Sequence, residues 1–376
     1  MFYITRQLKI GKSKQLDVLS RNAGIVYSKT VTTFWRTYRH SNHWLSLNAM
    51  QRIIRSETLH SQTVQGIIQS FYEALRSWDV LRKNNPSAKP PRLQKKHYSV
   101  PFKLSAIRIK EGQLILSTGR GNAPLSIPWS YEMPAICEIT YNGSEYVLNA
   151  VYRVQIQNRP TGGGYAGIDF GGGHLAAICT GENTIIANGK ELKSKRHYSN
   201  KVRSRFQREM KKCKKNSRKW TRLNNAKQRT LSRLNNQIKD ILHKQTNAIV
   251  CIMKEEGIQT VGISVMRNPD GNRAGQLPIC KVREMVEYKS EHAGMKILPV
   301  NDENAGHICP KCLQRNFSQE CVYRCVNCGA ELRCDCVGAF NIRNLSLYRG
   351  YVPVIGDMTP PVGVRYSAGT PRKSAA

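Results

Sequence analysis

The sequence predicts an α/β protein of more than one domain, on three observations. At 376 residues the chain exceeds one ordinary domain. Strand-like texture with hairpin turn signals alternates with long stretches at helical spacing. Two C-x-x-C pairs, Cys309/Cys312 and Cys325/Cys328, sit twelve residues apart, the spacing of a small metal-bound ribbon.

Taken in chain order, residues 1–12 read as a strand and 13–80 as helical, with Val64, Ile67, Ile68, Phe71 and Leu75 on one buried face. RKNNPSAKPPRLQKKH (82–97) is a Pro- and Lys-rich connection. Over 98–157 the texture turns to strands, with one hairpin around Glu-Gly and a second around Asn-Gly. The first portion is thus a β-rich module with a helical insertion. QNRPTGGGYAG (158–167) reads as a hinge, and GIDFGGGHLAAICTGENTIIANGK as a meander.

Residues 193–256 form a basic helical region of two helices, broken near 216–217. The second carries an apolar stripe: Leu231, Leu234, Ile238, Ile241, Leu242, Ile249 and Ile252. Next come a strand (IQTVGIS), a loop, a helix (ICKVREMVEYKSEHAG) and a strand (MKILPV). The cysteine cluster and a short helix, CDCVGAFNIRNL, follow. The tail from 347, with Pro353, Pro360 and Pro361, is expected to be disordered.

Charge decides the class of partner. Fifty-nine Lys and Arg against 25 Asp and Glu give +34, a field that a polyanion neutralises. Between 193 and 244 there are 19 Lys or Arg against only Glu209 and Asp240, so one face of that helical region meets something anionic. Arg203, Arg205, Arg208, Lys211, Lys212, Lys214 and Lys215 are the candidate phosphate contacts. In the helical insertion Trp35, Tyr38, His43 and Trp44 lie among Arg36 and Arg39, either to grip nucleic acid or to form an aromatic core. No run of 18 apolar residues and no signal-type N-terminus is present, so a soluble, cytoplasmic protein without a membrane partner is expected.

Seven of the twelve cysteines fall between 309 and 336. Cys309, Cys312, Cys325 and Cys328 supply four thiolates for a structural zinc, closed to water; Cys321, Cys334 and Cys336 are spare. Asp169 ends a small-residue strand and precedes glycines. An acid there serves a sugar-kinase-type phosphate hairpin, the first metal site of an RNase H-like nuclease, or a simple turn. Asp335, before small residues at a helix start, reads by itself as an N-cap. Ser264 ends a comparable strand and carries no charge.

Four segments in order resemble TnpB, the transposon-associated RNA-guided nuclease family related to type V CRISPR effectors. GIDFGGGHLAAICT resembles its first RuvC motif, and the basic helices ending in DILHKQTNAIV its bridge region. YKSEHAGMKILPVNDENAGHICPKC resembles the approach to its zinc knuckle, and CDCVGAFNIRN its third RuvC motif.

The resemblance implies a wedge β-barrel over 1–157 with recognition helices inserted at about 13–85. It also implies a RuvC-like, RNase H-like domain over 158–304 and 333–346, a zinc ribbon over 305–332, and a disordered tail over 347–376. It further implies guide RNA and double-stranded DNA as partners, nucleoid association in a prokaryote, and cleavage with catalytic Mg²⁺ held by Asp169 and Asp335.

The family's second-motif acid falls on Ser264, a poor ligand for Mg²⁺ beside a carboxylate. Glu303, with Asp302, at the end of KILPVNDEN is the candidate replacement. Glu284 and Glu287 are second choices, with pairing to Lys281 or Arg283 as their ordinary role, and Asp270 belongs to a turn. The expected function is an RNA-guided DNA endonuclease with a rearranged site. The alternatives are a nuclease-inactive guided repressor and a basic zinc-ribbon RNA-binding protein.

Overall fold

The computed structural model describes residues 2–93, 97–119, 121–171, 174–181, 183–265, 277–301, 304–316, 322–353, 362–367 and 370–375, with backbone alone at 335 and beyond 361. It divides into two compact units, Met1–Val154 and Gln155–Ala376. The division falls three residues before the boundary expected at 157.

The first unit begins with β1 (Phe2–Gly11), α1 (Lys14–Ser41), α2 (Leu47–Ile53) and α3 (Ser61–Asn84). It continues with β2 (Val100–Lys103), β3 (Ile107–Lys110), β4 (Gln113–Leu116), β5 (Leu125–Pro128), β6 (Ile136–Tyr141) and β7 (Tyr146–Val154). The strands form two antiparallel sheets, ordered β1-β7-β6-β2 and β3-β4-β5. Both hairpins fall where the turn signals put them. Glu111 and Gly112 have φ of 51° and 71°, the doubly left-handed conformation of a tight two-residue turn. At the other, Asn142 Oδ1 accepts from the Ser144 and Glu145 N–H groups, both at 2.9 Å.

The insertion's aromatics mostly pack on one another. Phe34 is fully buried and meets Trp35, Trp44, Phe71 and Tyr72 edge-on. Trp35 also meets Tyr38 and Trp78, so the core role holds for it, while Arg36 and Arg39 remain exposed.

The second unit opens with β8 (Gly164–Asp169), β9 (Ala176–Cys179) and β10 (Thr184–Ala187), then α4 (Lys190–Lys211) and α5 (Arg218–Glu255). β11 (Ile258–Ser264), α6 (Ile279–His292) and β12 (Lys296–Val300) follow. The chain ends with β13 (Val322–Arg324), β14 (Glu331–Arg333), α7 (Cys334–Tyr348), β15 (Val362–Ser367) and β16 (Thr370–Ala375). Seven strands form one sheet, β12-β11-β8-β9-β10-β15-β16. β8 runs antiparallel to β9 and parallel to β11, and β11 runs parallel to β12.

Alternation along these strands separates two faces. Ile168, Val261 and Ile263 are fully buried with Ile249 and Met253 of α5 and Val282 and Val286 of α6. Each such side chain contributes about 1.5–3 kcal/mol. The opposite face carries α7, packed through Ala339 and Phe340 on Ala177 and Cys179, and through Ile342 on Val300.

Two expectations are corrected. The tail beyond 347 is not wholly without structure. α7 runs on to Tyr348, and β15 pairs in parallel with β10 and antiparallel with β16. An exposed strand edge recruits a neighbour by main-chain hydrogen bonds, which composition does not reveal. Asp335, in turn, is no N-cap. α7 starts at Cys334 with Arg333 as its cap residue, so Asp335 is the second residue of the first turn. The helix follows directly from β14, which leaves no room for a separate capping residue.

Candidate functional site

Strand order reverses at β8: the chain runs outward through β9 and β10, then returns to place β11 and β12 on the other side. In open α/β sheets such a switch point, at the carboxyl ends of the strands, is where ligands bind. Asp169 is the last residue of β8 and Ser264 the last of β11. Ile168 pairs with Ile263, which brings Asp169 and Ser264 side by side on the α7 face. Asp169 is partly exposed, whereas Ser264 is only 3% exposed.

Glycines let α7 lie against the strands. A Cβ on Gly167 would run into the backbone of Ala339 and Arg343, and one on its pair partner Gly262 would strike Ser346. A Cβ on Gly338 would collide with the Asp169 carboxylate, so that carboxylate rests on the helix backbone one turn beyond position 335. Asp169 and the backbone of Asp335 are thereby gathered at one corner of the sheet. Glycine within a strand pattern signals close backbone approach, but nothing local says what approaches.

Sites expected for a third acid divide sharply. β12 pairs with β11 in parallel, Ser264 opposite Val300, so the strand leading to Glu303 does end beside Ser264. Asp270, Asp302 and Glu303 themselves lie outside the described residues. Glu284 and Glu287 are on α6, on the sheet face away from α7, and Glu287 is bonded to Arg283 at 2.7 Å.

The four cysteines of the knuckles do converge, with every pair of Sγ atoms within 4.8 Å. Cys309 and Cys328 are 3.7 Å apart and Cys312 and Cys325 3.5 Å. A zinc with four Zn–S bonds of about 2.3 Å needs edges of about 3.8 Å, so the set fits. Each knuckle closes alike: the Cys309 and Cys325 carbonyls accept from Leu313 and Gly329, whose φ values are 59° and 68°. Burial pushes the Cys309 thiol up, to about 12, while a hydrogen bond from Asn327 draws Cys312 down, to about 6. Metal binding would need all four as thiolates, so it would release protons.

Sequence reasoning missed the polar supports of this cluster. Asn316, 5% exposed, donates to Cys325 Sγ at 3.3 Å and accepts from the Val326 N–H at 3.1 Å. Asn341 of α7, fully buried, donates to the carbonyls of Ala305 and Ile308 at 2.7 and 2.8 Å. Val337 of α7 belongs to the ribbon's own core with Cys309, Tyr323 and Cys325. The ribbon and the helix that carries Asp335 are therefore one packed body.

The basic residues lie on the end of α4 and the turn that follows it. Arg203, Arg205, Arg208 and Lys211 are exposed on α4, and Lys212, Lys214 and Lys215 on the turn to α5, with Lys212 bonded to Glu209 at 3.1 Å. Among the described residues no helix is long and apolar enough to cross a membrane.

The OrfB_IS605 family model, a probable transposase, matches residues 147–269. The Cas12f1-like TNB domain matches residues 280–342. No curated protein matches the sequence. A solved Cas12f1-sgRNA-target DNA complex resembles the chain with a TM-score of 0.64 at 13% identity, over 89% of this chain and 84% of that one. The mini-RNA-guided endonuclease CRISPR-Cas_phi3 aligns at a TM-score of 0.49 and 9% identity over 96% and 94% of the chains, a likeness too loose to argue from. Two family models on successive segments, and a fold shared with a solved relative, are consistent with the TnpB-like family that the motifs resemble.

Proposed function

We propose that the protein is an RNA-guided DNA nuclease with a RuvC-like centre at the C-terminal ends of β8, β11 and β12. The observation that carries this reading is the Asp169 carboxylate seated on Gly338, at the sheet's switch point and one turn from position 335 of α7. Three antiparallel strands with two parallel strands added beside the first support the RNase H-like assignment. The two sheets of the first unit are read as the wedge barrel, and α1–α3 as its recognition helices.

Asp169 and Asp335, with Glu303 as the third acid, would hold Mg²⁺, which prefers hard carboxylate oxygens. When bound, the metal supplies Lewis-acid stabilisation of charge on the phosphodiester. Asp169 lies against the α7 backbone at Gly338, a contact that would orient it before substrate arrives. The four thiolates would hold zinc in a purely structural role. Guide RNA and double-stranded DNA are the proposed partners, drawn by the basic α4–α5 region.

A second reading, a guided DNA-binding protein without cleavage, is favoured by one observation. The position in register with Asp169 is a buried serine. Co-expression with its flanking DNA, followed by a guide-matched cleavage assay in Mg²⁺, separates the two. We expect cutting that falls at least ~100-fold in Asp169→Ala, beyond the 10–100-fold of losing an outer-shell partner, with DNA binding retained. Parallel loss in Glu303→Ala supports the rearranged site. Guide-dependent binding with no cutting by the unaltered protein selects the second reading, and the absence of any copurifying RNA sinks both.

A further inference from the structure

At the turn between α4 and α5 lies an open cleft of about 700 Å³ that involves neither the acid corner nor the four-cysteine cluster. Its apolar surface comes from Met210, 8% exposed, and the half-buried Trp220. Arg208, Lys211, Lys215 and Lys227 line it too, beside the neutral Ser204, Gln207 and Cys213. No carboxylate lines it among the described residues; the neighbouring Glu209 is engaged by Lys212 instead. The turn is pinned locally. Ser217 caps α5 by accepting from the Trp220 N–H at 3.2 Å, and Asn216 takes the left-handed φ of 65°. Trp220 thus stands in the first turn of α5, its backbone held by the cap.

A cleft with an aromatic side chain and four cations in its lining, the rest being neutral, selects a ligand that is flat and anionic at once. A nucleotide has both properties: a π-face for Trp220 and a phosphate for the cations. Its volume is ordinary for a small-molecule-sized guest. A paired base is stacked between its neighbours inside a duplex and cannot present its face to a tryptophan in a recess. We propose that this cleft takes one unpaired nucleotide of a single strand, its base against Trp220 and its phosphate among Arg208, Lys211, Lys215 and Lys227. This deepens the guided-nuclease reading and rests on it for the biological source of the strand. The chemistry of the cleft is the same for RNA and DNA.

The test uses the full chain with labelled oligonucleotides of one length: single-stranded RNA, single-stranded DNA and a blunt duplex. Trp220→Ala should weaken binding of at least one single strand by about 5- to 150-fold, the range that base–aromatic stacking supports. Trp220→Phe should retain most of the affinity, and duplex binding should be unchanged in both. The arm that responds, RNA or DNA, names the source of the strand. Equal losses on single strand and duplex, or no loss on either single strand, overturn the proposal. Should Trp220→Ala fail to fold, photocrosslinking of the unaltered protein to a 5-iodouracil oligonucleotide decides. A crosslink mapped to Trp220 supports the cleft, and crosslinks confined to other residues overturn it. If no guide RNA copurifies while Trp220-dependent single-strand binding persists, the guided reading fails and the cleft stands.

Discussion

The two faces of the seven-stranded sheet are held by different physics. On one, Ile168, Val261 and Ile263 interdigitate with the side chains of α5 and α6. On the other, α7 meets the strands backbone to backbone at Gly167 and alongside Gly262, and its Gly338 receives the Asp169 carboxylate. A side-chain interface yields a little when one group changes, because neighbouring rotamers shift. A backbone interface has nothing to rotate. The face that carries Asp169 is the one where, at its glycines, helix backbone lies directly against strand.

That contrast can be broken most forcefully at the four-cysteine cluster, proposed to hold zinc, which shares Val337 and the Asn341 bonds with α7. Chelation of zinc should raise amide hydrogen exchange in the first turns of α7 by ~100-fold or more, a small part of the ~10 kcal/mol a structural zinc contributes. Protection in α5 and α6 should stay unchanged; equal loosening of both faces would contradict the division.

Next in size is Gly167→Ala. Its Cβ meets backbone and no mobile side chain, so a loss near the top of the ~1–3 kcal/mol overpacking range is expected in denaturant melts. Gly262→Ala meets the Ser346 hydroxyl, and a second change, Ser346→Gly, should restore part of its loss. No such single truncation should rescue Gly167→Ala. On the side-chain face, Ile263→Val should cost only ~0.5–1.5 kcal/mol in the same melts.

The smallest effect concerns Lys289 of α6, whose Nζ donates to the His243 carbonyl and Thr246 Oγ1 of α5 at 2.6 and 2.8 Å. Burial lowers its pKa from 10.5 to about 8. The unfolded chain therefore binds more protons between those values, and this residue's contribution makes stability rise as pH climbs from about 8 towards 10.5. Lys289→Met should flatten that part of the stability profile relative to the unaltered protein, as read by melts at pH 7, 8, 9 and 10.

Legibility followed the range of the signal. Helical stripes, hairpin turns and the C-x-x-C pairs are written in neighbouring residues, and so were readable. Asp169 was singled out because it ends a small-residue strand. The N-cap reading of Asp335 failed because the preceding β14 is only three residues long and runs straight into the helix. The tail strands were missed because edge pairing uses the main chain, which every sequence possesses.

What the amino-acid sequence determined by itself was chemistry and local form: four thiolates at ribbon spacing, a basic helical pair, and a strand ending in serine. The tertiary structure alone decided that this serine stands beside Asp169, that the four-cysteine cluster and α7 share a core, and that glycines bring a helix into backbone contact with the sheet. Periodicity and spacing act over a few residues and leave a trace in the order of the chain. Strand order and backbone approach join residues about a hundred or more positions apart, such as Gly167 with Gly262 and Ala339, and only the folded packing records them.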